Sequence, residues 1–185
     1  NFMVELRHLF KGSFFWRKKA AAMAREQLHR VFPNNGIDVN KELSDLSIAQ
    51  QQMVEIARAF SDPNLKLLIL DEPTSSLPVE QTRQLLSYIS KKAEEGITFI
   101  YITHRLFEIM EITKKICVLR DGEVVYTCDT CETSEDNLID IMSGGQNTEQ
   151  TRIVEKTRNV NTNINENVFV YCDDISKGIL NNVNC

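Results

Sequence analysis

Four apolar residues, Leu67-Leu68-Ile69-Leu70, run directly into Asp71-Glu72-Pro73-Thr74. A short apolar run without alternation suits a strand covered on both faces, the kind found in parallel α/β sheets. Pro73 cannot donate to a ladder, so the strand stops there with two carboxylates at its carboxyl end. Open α/β sheets bind their ligands at that end. The sequence therefore predicts a buried strand that delivers Asp71 and Glu72 to the rim of a site.

The surrounding pattern supports such a layer. Ala20, Ala24, Leu28 and Val31 recur at helical spacing between Arg17 and Val31, and Pro33 with Asn34-Asn35-Gly36 stops them. Ser47 opens a second helix with Met53, Ile56, Ala57 and Phe60 on one stripe, ending at Ser61-Asp62-Pro63. After the strand, Thr82, Leu85, Leu86 and Ile89 mark a helix that Gly96 ends, and Ile97 to Ile102 form a β-rich run closing on Thr103-His104. A short helix from about Arg105 to Ile112 leads to a strand over Ile116 to Leu119. Strand, helix, strand, helix, strand predicts parallel pairing with right-handed crossovers. Asp121-Gly122, set before Val124-Val125-Tyr126, predicts a hairpin and an antiparallel edge. Thr133-Ser134-Glu135-Asp136 caps a short helix with Leu138, Ile141 and Met142. From Gly144 to Asn167 the chain turns to Asn, Thr, Glu and Gln and reads as a linker, after which Val168-Phe169-Val170-Tyr171 looks like the start of a new strand.

The 185 residues carry 21 Lys and Arg against 26 Asp and Glu, a net charge of −5. Affinity for phosphate backbones rests on excess Lys and Arg, so this balance argues against a dedicated nucleic-acid binder. No apolar run reaches the roughly 18 to 20 residues that span a bilayer. Of the five cysteines, only Cys128 and Cys131 lie close together. That CxxC is half of a zinc site at most, since no second pair or His follows at the right spacing, and the plainer reading is reduced thiols in a polar turn.

Three features carry chemistry, and each has a structural reading beside the functional one. Asp71 suits the holding of Mg²⁺ and Glu72 the orienting or deprotonation of an attacking water, yet an acidic turn after a strand looks the same. Ser47 with Gln50 is a capping box at a helix start, whose free N–H groups and hydroxyl also suit a phosphate. His104 at a strand end is either a structural residue or a catalytic one.

Together these residues resemble the nucleotide-binding cassettes of ABC transporters, with signature, Walker B strand, D-loop and switch His in order from Leu46 to His104. Leu46-Ser47-Ile48-Ala49-Gln50-Gln51-Gln52-Met53-Val54-Glu55-Ile56-Ala57-Arg58-Ala59 and Tyr101-Ile102-Thr103-His104-Arg105-Leu106 are most similar to the two-cassette ATP-binding subunits of monosaccharide importers. The resemblance covers about Lys11 to Met142 and implies a partial α/β cassette: a helical subdomain segment over about 11–62, then a catalytic part over about 63–143 with a mostly parallel sheet and an antiparallel hairpin. Residues 1–143 would be the C-terminal part of a first cassette, 144–167 a linker and 168–185 the start of a second cassette.

The resemblance also implies roles. Glu72 and His104 would be catalytic, as general base and γ-phosphate sensor; Ser47, Gln50 and Asp71 would bind the nucleotide, Asp71 through Mg²⁺. Ser75, Ser76 and Leu77 match the D-loop, and Pro78 stands where many ABC proteins have Asp. The cofactors would be ATP and Mg²⁺. The partners would be membrane permease subunits, an opposing cassette and, indirectly, a periplasmic or extracellular sugar-binding protein, with the subunit peripheral on the cytoplasmic face of the membrane.

No GxxxxGK[ST] occurs in the sequence, so the loop that cradles phosphates in this family is not among these residues. The expectation is a fragment truncated at its N-terminus, inactive by itself. Met142-Ser143-Gly144-Gly145-Gln146 spells a better signature than Ser47-Ile48-Ala49-Gln50, but no amphipathic helix or strand with terminal carboxylates follows it. It reads as a helix end with a Gly stop. Two other functions fit the same residues: a non-catalytic binding module derived from a cassette, and an ABC ATPase outside transport.

Overall fold

The computed structural model describes residues 16–143 and 168–173. They fall into two units, one made of the chain to Leu65 with Pro73–Tyr88, the other of Lys66–Glu72 with the chain from Ile89 onward.

In the first unit, α1 spans Trp16–Val31 and α2 spans Ile48–Ala59. The stripe expected on α1 is its core face, since Ala20, Ala24, Leu28 and Val31 are all buried. Asn34 and Gly36 take positive φ of 59° and 67°, the left-handed turn that Asn and Gly tolerate best. On α2, Met53, Ile56, Ala57 and then Phe60 are buried, again as the spacing predicts. Gln27 of α1 donates to the Phe60 carbonyl at 3.2 Å, satisfying one of the acceptors that the end of α2 leaves open. The Phe60 ring meets Tyr88 edge-on, with centroids 4.9 Å apart.

α3, Val79–Glu94, begins in this unit and carries Thr82, Leu85, Leu86 and Ile89 on its buried stripe. Each fully buried Leu or Ile stabilises by about 1.5–3 kcal/mol before ordering entropy is counted. Its end is a Schellman motif: Gly96 at φ 95° donates to Ala93 O at 3.0 Å, and Ile97 donates to Lys92 O at 3.1 Å.

The second unit is a five-stranded sheet. Its strands are β1 (Leu67–Asp71), β2 (Thr98–Ile102), β3 (Lys115–Arg120), β4 (Glu123–Asp129) and β5 (Val168–Asp173), in the order β1-β2-β5-β3-β4. β1 and β2 are parallel with Leu67 opposite Thr98 and Asp71 opposite Ile102. α4 (Leu106–Ile112) follows β2, and α5 (Glu135–Met142) follows β4. The expected hairpin forms: Asp121 and Gly122 both have positive φ, 54° and 80°, as a two-residue turn between right-twisted strands requires. β3 and β4 pair antiparallel with a bulge after Val118. Ser134 caps α5 by accepting from the Asn137 N–H at 3.3 Å. Met142 ends α5 and Ser143 is its C-cap, so the Met142-Ser143 start of the signature-like pentapeptide is a helix end.

Alternation along the strands separates two faces. Phe99, Tyr101, Ile116 and Val118 are fully buried, as are Ile109 of α4 and Leu138 of α5. The opposite face differs from the sequence expectation for β1. Leu70 is buried, but Leu67 and Ile69 remain 49% and 57% exposed. β1 is the edge strand of the described sheet, and the face bearing Leu67, Ile69 and Asp71 has no cover among the described residues. A continuous apolar run marks a strand that is able to be buried on both faces, but it does not supply the second layer.

The strand expected from Val168 also forms, and it lies inside this sheet, parallel to both β2 and β3. β2 and β3 are consecutive in the chain yet one strand apart, and the β-rich run fills the gap and pairs their backbone groups. Residues 144–167, expected as a linker, and 174–185 lie outside the described residues.

Candidate functional site

The two carboxylates after Leu70 face different surroundings. Asp71 is the last residue of β1 and is exposed, on the open face with Leu67 and Ile69. Glu72 leaves the strand with φ 44°, a left-handed conformation that costs a non-glycine residue about 1–2 kcal/mol. The Glu72 N–H donates to Ile102 O at 2.8 Å, which continues the β1–β2 ladder one residue past the strand. That bond holds the turned backbone, and the turn re-aims the side chain.

Glu72 Oε1 then meets His104, 32 residues on. It accepts the His104 backbone N–H at 3.1 Å and lies 2.7 Å from His104 Nδ1. Facing a carboxylate, Nδ1 serves as the donor, which leaves Nε2 as the nitrogen able to meet a further group. The His104 side chain is 64% exposed and that of Glu72 34%. The other oxygen, Glu72 Oε2, is buried and has no hydrogen-bond partner among the described residues. A buried carboxylate oxygen without a donor is costly, and such orphans in native proteins mark places where a water, ion or substrate is held.

Behind His104 lies a second carboxylate that the sequence reading did not single out. Glu108 of α4 is fully buried; its Oε2 accepts from the Tyr101 hydroxyl at 2.6 Å and lies 3.5 Å from Thr103 Oγ1. Its Oε1 is 3.6 Å from Arg105 Nη1. Thr103 Oγ1 accepts the Arg105 N–H at 3.1 Å. The signal was present, because Tyr101, Thr103 and Arg105 alternate ahead of an acid in the first turn of a helix, but it looked like ordinary helix-start chemistry.

The remaining expected site residues belong to the first unit. Ser47 and Gln50 form the complete capping box: Ser47 Oγ accepts the Gln50 N–H at 3.3 Å, and Gln50 Oε1 accepts the Ser47 N–H at 3.1 Å. Ser47 is exposed and the Ile48 side chain is 75% exposed, so this helix start faces outward with the Ser47 O–H still able to donate. Ser75, Ser76 and Leu77 lie in the turn before α3; Leu77 N–H donates to Thr74 O at 3.1 Å, and Leu77 is buried while Ser75 is exposed. Gln52 donates to the Pro73 carbonyl at 3.4 Å, tying α2 to the start of that turn. The structure thus brings Glu72 to His104 and Ser47 to Gln50.

Cys117, Cys128 and Cys131 are free thiols. Among the described residues no group of three or more His, Cys, Asp and Glu side chains is placed to hold a metal by itself.

Residues 3–75 match the family model described as ABC transporter. The ribose import ATP-binding protein of Lactococcus lactis subsp. cremoris is 41% identical over 153 residues, which cover 78% of this chain and 30% of that protein. The xylose import ATP-binding protein of Pectobacterium atrosepticum is 43% identical over 113 residues, 61% of this chain and 22% of that protein. Among solved structures, a dimeric bacterial ABC transporter cassette superposes with a TM-score of 0.58 at 26% identity, covering 69% of this chain and 54% of that one. The chain spans at most about a third of the length of these two curated relatives. Its sequence from the capping box through the strand-end carboxylates to His104, its sheet and these likenesses agree: the chain belongs to the ATP-binding family of ABC transporters.

Proposed function

We propose that these residues are the carboxylate and switch side of an MgATP site in an ATPase subunit that drives monosaccharide import through a membrane permease. The observation that carries the reading is Glu72: its turned backbone, its Oε1 held by His104, and its Oε2 buried with no partner among the described residues. A general base for water needs one oxygen oriented and the other free to take a hydrogen bond, and Glu72 has that division. In the proposed reaction water attacks the γ-phosphorus of ATP, its proton passes to Glu72 Oε2, and ADP leaves with the cleaved bridging oxygen. His104 fixes the Glu72 carboxylate through Nδ1–H and would sense the γ-phosphate, where a hydrogen bond from Nε2 to that anion requires the doubly protonated ring.

Asp71, exposed at the strand end, is the residue that would hold Mg²⁺. A lone carboxylate fits this ion, which binds through one or two carboxylates plus phosphate oxygens and keeps several waters. When bound, Mg²⁺ neutralises charge on the phosphate oxygens. Ser47 and Gln50 would meet the γ-phosphate of a nucleotide held by an opposing cassette, and Ser75, Ser76 and Leu77 would pass between cassettes. The names of the ribose and xylose import relatives support the substrate class. Among the described residues no helix is long and apolar enough to cross a membrane. The subunit would act at the cytoplasmic face, beside permease subunits fed by an external sugar-binding protein. The division into a first cassette, a linker and the opening of a second cassette belongs to the same proposal.

The phosphate loop must come from outside these 185 residues, so the chain alone should bind nucleotide poorly. The test reads roughly 150 codons upstream of Asn1, in frame, for a strand, GxxxxGK[ST] and a helix. The polypeptide containing both parts should then hydrolyse MgATP, and this chain alone should not. A start codon close to Asn1 with no such loop overturns the ATPase reading in favour of a non-catalytic binding module.

A further inference from the structure

We infer that Glu108 is a positioning residue, a buried pin that turns His104 toward Glu72; its consequence for hydrolysis rests on the function proposed above, but its geometry does not. The β1–β2 ladder extends to Ile102, and beyond it strand pairing no longer dictates which way each side chain points. Past it the chain bends at His104, with the Arg105 N–H donating to Thr103 Oγ1 at 3.1 Å across the bend. Tyr101, Thr103 and Arg105, at every second position, all come to the one carboxylate of Glu108, at 2.6, 3.5 and 3.6 Å. His104 stands between Thr103 and Arg105 at a bend in the chain, and it meets Glu72 Oε1 through both its backbone N–H and Nδ1.

Glu108 therefore ties the residues on both sides of the bend that carries His104, past the point where the ladder holds the chain. Tyr101 and Thr103 are buried to 0% and 1% exposure, so their hydroxyls cannot readily turn to water instead. A buried carboxylate is expensive to keep and is retained only where partners satisfy it. Here those partners include the Tyr101, Thr103 and Arg105 side chains. The carboxylate takes no part in the proposed chemistry and acts through the backbone it holds.

Amide hydrogen exchange on the 185-residue chain, without nucleotide, tests this. The reporter is the His104 N–H, which donates to Glu72, and the control is the Thr98 N–H, which donates to Lys66 O at 2.8 Å where the ladder begins. In Glu108→Ala the His104 amide should exchange about tenfold faster while Thr98 is unchanged, as expected when a pinned segment opens locally. Glu108→Gln, which still accepts from Tyr101, should keep protection within about threefold of the parent. If Glu108→Ala does not fold, Tyr101→Phe carries the test, with about threefold faster exchange at His104 alone. Unchanged exchange at His104 in the folded variant overturns the inference. So does an equal rise at Thr98, which would make Glu108 a general contributor to stability. No ATP enters the measurement, so failure of the pin and failure of the ATPase reading give separate results.

Discussion

Glu72 and Glu108 serve the same strand end, yet the protein treats them oppositely. Glu108 is fully buried, with Tyr101, Thr103 and Arg105 gathered on its two oxygens. Glu72 is one-third exposed, sits on a backbone turned to positive φ, and keeps one oxygen buried without a partner among the described residues. The satisfied carboxylate fixes geometry, and the unfinished one is left for chemistry. Strain and an unpaired oxygen persist at Glu72 because the neighbouring ladder bond to Ile102 and the His104 contacts hold it there. Rigidity on one side of the segment makes the unsatisfied state on the other tolerable.

The comparison can be broken most severely at Glu72. In the polypeptide that also carries a phosphate loop, Glu72→Gln should slow MgATP hydrolysis by about 10² to 10⁴-fold, the usual worth of a general base. Its urea midpoint should barely move, since the change leaves the side chain's shape and the His104 contact largely intact. Turnover close to the parent's would remove Glu72 from the mechanism.

Glu108→Ala should do the reverse, costing stability because the Tyr101 hydroxyl and Thr103 Oγ1 lose their buried acceptor. Urea unfolding should show a loss of about 2–3 kcal/mol. A loss near zero would mean that water replaces the carboxylate and that the two acids are not so different.

Ser47→Ala calibrates both against a local hydrogen-bond pair in the other unit. Removing the cap acceptor should cost about 1 kcal/mol, with Ser47→Gly nearer a few tenths. A cost as large as that of Glu108→Ala would show the capping box to be part of something wider than α2.

The smallest effect sharpens the contrast between exposed and buried ionisable groups. Burial raises the pKa of Cys117 and of Cys128, although hydrogen bonds from Thr127 to the first and Tyr126 to the second act against it, whereas Cys131 is exposed. Burial leaves less of Cys117 and Cys128 as the nucleophilic thiolate at pH 8, so alkylation mapped by peptide mass should label Cys131 before either of them. Raising the pH through the thiol range should narrow the gap. Equal labelling at pH 8 would show that partial burial at these strand positions does not suppress ionisation.

Local chemistry explains what was legible beforehand. The stripes of α1, α2 and α3, the Ser47 and Ser134 caps, the Gly96 stop and the Asp121-Gly122 turn each depend on residues within a few positions of one another, and all appear where the sequence put them. β1 shows the limit: its composition announced a buried strand, but Leu67 and Ile69 are exposed because burial requires a second layer. Glu108 shows another, since its value depends on three side chains that only the folded β2–α4 corner gathers.

At the site, neighbouring residues alone announce a strand ending in Asp71 and Glu72, a helix capped by Ser47 with Gln50, and His104 after a second strand. Periodicity, proline and capping are short-range signals, and they reach no further. Folding alone turns Glu72 to positive φ, sets it against His104 across 32 residues, leaves its second oxygen buried without a partner among the described residues, and gathers Tyr101, Thr103 and Arg105 on Glu108. The reason is physical: parallel register is set by long-range pairing of β1 with β2, and a carboxylate's partners are whatever that pairing brings within about 3 Å.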